Sequence, residues 1–212
     1  MWWTGETGRM EWHSYVGYTL VVLVTTRLVW GVVGSFHSRF VNFVRGPSAV
    51  LKYIQGAETK TREATAKGDH NGERDRGSLV VGHNPLGAYS TLALLSVLLL
   101  QGISGMFSID DLAFDGPLAY YLDGEFIDFA SQWHETGWSV LQALIALHLI
   151  AIAWYQLKKR QPLVQTMWFG RHPSREAMHR PIGIARAILV VAIVVTLLTI
   201  AINLAPEPPS YY

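Results

Sequence analysis

Two histidines, His134 and His148, stand fourteen residues apart in the stretch HETGWSVLQALIALH. On a helix that interval is about 21 Å of rise and ~40° short of four full turns, so both imidazoles lie on one stripe. The residues between them are mostly Leu, Ala, Ile, Val and Trp. A polar ring in hydrocarbon is costly unless something binds it. Two rings on one stripe, separated by a large part of a bilayer, are what two stacked haem irons require. The plainer alternative makes His134 interfacial and lets His148 hydrogen-bond a neighbouring helix. A third histidine, His13, follows Trp12 just as His134 follows Trp133. If their helices are neighbours that both start at the same membrane face, these two imidazoles face each other at one depth. Such a pair suits a low-spin electron-transfer haem rather than an oxygen-binding one. The competing reading is two unrelated interfacial histidines beside membrane-belt tryptophans.

Further residues could belong to the same chemistry. Arg27 is fourteen residues beyond His13 and hence on the same face, deeper, near the level of His148. A buried cation there wants an anion, for which a haem propionate would serve; otherwise the side chain snorkels to the nearer interface. Gly17 and Gly31, each four residues beyond His13 and Arg27, leave room either for a flat macrocycle or for close helix approach. His83, in GHNPLG, is a weak candidate partner for His148 and reads more simply as a capping or headgroup-level residue. His37, Arg39 and Arg45 are placed for a quinone or headgroup contact. His70, His172 and His179 lie in charged loops and read as solvated.

Composition identifies the elements that must position these groups. Half of the 212 residues are hydrophobic and only 16% are charged, well below the ~25% of soluble domains. The apolar residues are gathered into four runs, about 11–34 (helix A), 85–107 (helix B), 132–157 (helix C) and 182–204 (helix D). Each is near the ~20 residues needed to span a bilayer. The expectation is an all-α, polytopic membrane helix bundle forming a single membrane domain over 1–212. Helix D carries no histidine and reads as a lipid-facing anchor. With no cysteine, disulfides, iron–sulfur clusters and thiolate or covalent haem attachment within the chain are excluded. MWWTGETGRMEWH has no basic region followed by an apolar run, so no signal peptide is expected.

Net charge, at +1, is uninformative, but its distribution sets the orientation. The A–B connection holds Arg39, Arg45, Lys52, Lys60, Arg62, Lys67, Arg74 and Arg76, and the C–D connection a further six basic residues. The B–C connection has no Lys or Arg but carries Asp110, Asp111, Asp115, Asp123, Glu125 and Asp128. Basic loops stay cytoplasmic, so both termini and the acidic loop lie outside in a bacterial inner membrane. The segments 38–56 and 161–170 mix aromatic and basic residues and suit the cytoplasmic headgroup region. Residues 57–78 read as a mobile insertion and 205–212 as an extended tail.

The stretches EWHSYVGY, RLVWGVVGSFHSRFVNFVRGP, GHNPLGAYSTLALLSVLLLQGISGMF, HETGWSVLQALIALH and LVQTMWFGR together resemble the bacterial cytochrome b-561 family, which includes the b-type cytochrome subunit of nickel–iron hydrogenases. The resemblance covers nearly the whole chain to Arg171. It implies a four-helix bundle holding two non-covalent b haems and passing electrons between a quinone and a partner. It also implies that His13 pairs with His134, and that His148 pairs with a histidine near the start of a first helix ending in something like WLTGE. Here only Met1 to Glu6, MWWTGE, resembles that ending. The missing helix then comes from an upstream start, from a longer parent chain or from a further subunit.

The function expected is that of a membrane b-type cytochrome, with one or two haem b groups, between quinone and an outer-face redox partner. The acidic B–C connection either docks a basic carrier such as a c-type cytochrome or is an ordinary solvated loop. Alternatives are a superoxide-to-quinone oxidoreductase at the outer haem and a haem-free membrane anchor of a larger complex. Lipid is a partner; nucleic acid is not expected. Detergent-extracted protein should show a b-type α-band, and material that stays colourless after hemin is added would sink the haem reading.

Overall fold

The computed structural model describes residues 2–36, 38–44, 46–54, 85–110, 114–158, 164–165 and 183–207. Its helices, in chain order, are α1 (Trp2–Glu6), α2 (Met10–Val33), α3 (Phe40–Phe43), α4 (Pro47–Ile54), α5 (Pro85–Phe107), α6 (Gly124–Leu157) and α7 (Ile184–Asn203). Between α5 and α6 lie two short strands, β1 (Ile109–Asp110) and β2 (Phe114–Asp115), and a 3-10 turn over Ala119–Tyr121. Four helices are long and apolar enough to cross a membrane: α2, α5, α6 and α7. The fold is an all-α bundle. His83, the insertion at 57–78 and most of the segment 161–170 lie outside the described residues.

Local chemistry explains where these helices begin. Gly8, at φ 66°, takes the left-handed conformation that turns the chain from α1 into α2. The Arg9 amide closes that turn on the Thr4 carbonyl at 2.9 Å. Helix α6 begins at Gly124, eight residues before the start expected from hydropathy. The Asp123 carboxylate caps it by accepting from the Phe126 amide at 3.2 Å, and Glu125 sits in its first turn. Its 34 residues make about 51 Å of helix, well beyond a ~30 Å hydrocarbon core. Trp133 and His134 therefore lie nearly three turns inside α6 rather than at its start.

Helix α5 is the centre of the packing, with α6 on one side and α2 on the other; α7 packs on α2. Val21, Met106 and Leu118 form the buried cluster, covered by Tyr18, Phe107, Leu198, Ala201, Ile202 and Ala205. This joins the end of α5 and the end of α7 to α2 through the α5–α6 connection. That connection, read from sequence as a loop, forms a small antiparallel hairpin with Ile109 opposite Asp115. The Leu118 amide donates to the Met106 carbonyl at 2.9 Å, and the Ile109 amide to Ser131 Oγ at 3.2 Å. Helix α7 has no fully buried residue; beyond the side that packs on α2, its apolar side chains are exposed.

Close approach of α5 to α2 depends on Gly102, where an added Cβ would run into the Val21 side chain. Gly102→Ala is expected to cost about 1–3 kcal/mol through overpacking. The measurement is the thermal unfolding midpoint in detergent. Adding Val21→Ala should relieve the clash, leaving the double variant no less stable than Val21→Ala alone.

Candidate metal centre

Helix α5 meets His134 of α6 through Gln101, Ser104 and Gly105. His134 Nδ1 lies 2.9 Å from the Gln101 main-chain carbonyl and 3.4 Å from Ser104 Oγ. In return, Gln101 Nε2 donates to the His134 carbonyl at 2.6 Å. That amide nitrogen is also 3.3 Å from Nδ1, but its geometry favours the shorter carbonyl contact. Gly105 lies flat against the imidazole: a Cβ there would sit 2.6 Å from His134 Cε1. Gly137, on α6, similarly makes room for the Gln101 side chain.

His13 of α2 faces His134 across the bundle. Their ring centroids are 6.0 Å apart and the ring planes cross at 81°. Thr4 Oγ1 of α1 lies 3.4 Å from His13 Nδ1. Two metal–nitrogen bonds of about 2 Å, with the half-width of each ring, put two imidazoles on one metal at a centroid separation of roughly 6 Å. The pair therefore fits a shared metal. Among the described residues no three His, Cys, Asp or Glu side chains converge. A porphyrin would supply four further donors, so two imidazoles at this separation are compatible with haem.

His148 lies further along α6, and its Nδ1 is 3.1 Å from Ser90 Oγ of α5. It does hydrogen-bond a neighbouring helix, but through one ring nitrogen. Arg27 is half-buried; its guanidinium carbon is 5.2 Å from the Phe40 ring centroid and its Nη1 is buried without a hydrogen-bond partner. Gly31 is buried, and the space a Cβ would need there is taken by the Phe40 ring. The room at Gly31 is taken by an aromatic ring of α3. Gly17 is half-buried on α2. Arg39 stands at the N-terminal boundary of α3 and donates from Nε to the Gly34 carbonyl at 2.8 Å. His37, Arg45, His70, His172 and His179 lie outside the described residues.

The family model described as prokaryotic cytochrome b561 matches residues 1–170. The chain belongs to that family. No curated protein and no solved structure matches it. With its four apolar helices, the protein is a multi-pass membrane cytochrome that binds haem b and carries electrons. Within this cytochrome, the histidines were legible from sequence, but the α5 residues around them were not. Gln101 is the one amide in PLGAYSTLALLSVLLLQGISGMF, and its position amid apolar residues is the signal that could have singled it out.

Gly105→Ala is expected to push the His134 ring from its place and lower the haem-to-protein ratio of the purified cytochrome. Gly124→Ala, at a glycine with nothing within 4 Å of its added Cβ, should leave that ratio unchanged. Equal ratios in the two variants would mean that Gly105 does not position the ring.

Proposed function

We propose that His13 and His134 are the axial ligands of one haem b and that His148 is a ligand of a second. In this reading the cytochrome passes electrons between quinone in the membrane and a redox partner at the outer face. The observation that carries it is the 6.0 Å approach of two imidazoles from helices otherwise joined through α5. A haem b held by two imidazoles exchanges one electron while leaving no open position for a ligand. His13 and His134 would hold that group. Gln101 and Ser104 fix the orientation of His134.

The arginine-rich and lysine-rich connections support a reading in which the α5–α6 connection, and with it His13 and His134, is at the outer side of a bacterial inner membrane. His148, about 21 Å along α6, belongs to the cytoplasmic half. Arg27 supplies a positive charge whose unpartnered Nη1 suits a propionate carboxylate. A second imidazole for His148 would come from His83 or from a further subunit. Asp115, Asp123, Glu125 and Asp128 give the outer end an acidic surface suited to a basic carrier such as a c-type cytochrome. Quinone reaches the protein from the surrounding lipid.

Pyridine haemochrome analysis of the purified chain tests the assignment. His13→Ala and His134→Ala are each expected to remove the same haem equivalent, and His148→Ala to spare it. Full haem content in either of the first two variants would overturn the outer pair.

A further inference from the structure

Helix α5 repeats one arrangement at two levels. Ser104 Oγ donates to the carbonyl three residues before it, Gln101 O, at 3.1 Å, and lies 3.4 Å from His134 Nδ1. Ser90 Oγ donates to the carbonyl three residues before it, Gly87 O, at 3.0 Å, and lies 3.1 Å from His148 Nδ1. Ser90 and Ser104 are fourteen residues apart, as are His134 and His148. Because α5 and α6 run antiparallel, equal spacing brings both serines into register with both imidazoles.

Proton bookkeeping then assigns the tautomers. A carbonyl oxygen only accepts, so the 2.9 Å contact between His134 Nδ1 and Gln101 O requires a proton on Nδ1. That leaves the Nε2 lone pair for a metal. A serine has one hydroxyl proton. With Ser90 donating to Gly87 O, its oxygen can meet His148 Nδ1 only as an acceptor, which again puts the ring proton on Nδ1. The opposite arrangement, with Gly87 O left to Thr91 Oγ1 at 2.9 Å and Ser90 donating to Nδ1, would protonate Nε2 and close it to a metal.

We propose that Ser90 is the positioning residue of His148: it holds that ring as the Nδ1–H tautomer with Nε2 as the metal donor, and Ser90 with Ser104 makes α5 the rail that orients both imidazoles of α6. The proposal rests on His148 being a haem ligand. An acceptor on Nδ1 makes an imidazole a stronger donor and favours ferric iron, so losing it should raise the reduction potential. His134 keeps the Gln101 carbonyl whatever residue stands at 104. His148 has Ser90 alone among the described hydrogen bonds. The two serines therefore differ in consequence.

The test is a redox titration of the haem-loaded cytochrome, with low-spin electron paramagnetic resonance and haem content measured on each variant. Ser90→Ala is expected to raise one component's reduced-to-oxidised ratio at fixed potential by about three- to tenfold, where tenfold is 59 mV for one electron. Failing that, it should weaken retention of that haem by roughly 10–100-fold. Ser90→Thr, which keeps the hydroxyl, should restore the wild-type titration, and Ser104→Ala should have the smaller effect. A Ser90→Ala titration and spectrum matching wild type would overturn the proposal, as would a Ser90→Thr variant as altered as Ser90→Ala. His148→Ala separates the two levels: unchanged haem content and potentials there would overturn the ligand reading itself. Altered His148→Ala with an unaltered Ser90→Ala would overturn only the role of Ser90.

Discussion

An imidazole on an apolar helix is costly until its nitrogens have partners, and much of this fold follows from meeting that requirement. The hydrocarbon phase offers no water to do it, so another helix must. Helix α5 carries the answer for both α6 histidines, with a serine hydroxyl at each level and a main-chain carbonyl at one. The first ring nitrogen of each is thereby engaged within the protein. The second nitrogen is the one available for chemistry.

The same requirement explains why the helices touch where they do. A main-chain carbonyl can reach a side chain on the next helix only where the backbones come close. Glycines allow this: Gly105 lies under the His134 ring, Gly102 under Val21, and Gly137 under Gln101. Gln101 then links α5 to α6 in both directions, accepting at its main chain and donating from its side chain. The arrangement is not saturated. Gln101 Oε1 and Trp133 Nε1, an acceptor and a donor, are both buried without partners, and both lie against Gly137.

Charge and hydrophobicity divide the remaining labour. Many exposed side chains of α6 and α7 are leucine, isoleucine and valine, which cost nothing against lipid. Among the described residues, Arg27 is a charged side chain that lies half-buried within a span. Its guanidinium is set over the Phe40 ring, which offsets part of the cost of burial through a cation–π contact and leaves Nη1 without a hydrogen-bond partner. Aromatic α3 thus does two things at once, filling the gap at Gly31 and facing the half-buried Arg27 guanidinium.

The sequence by itself determined what depends on one segment at a time. Hydrophobic length gave four spans, and helical period put His134 and His148 on one stripe, because each is a property of consecutive residues. The early start of α6 was also local, written in Asp123 and Glu125, but a hydropathy window does not read a cap. Tertiary structure decided which groups meet those stripes. Ser90 is 58 residues from His148, Gln101 is 33 from His134, and only the register of α5 on α6 brings them within hydrogen-bond distance. The facing of His13 and His134 needed two helices to pack against the same third one. The neighbour of Gly31, Phe40, needed the chain to fold back after α2. No single segment encodes a contact between segments, and here those contacts set which nitrogen of each ring is left to act.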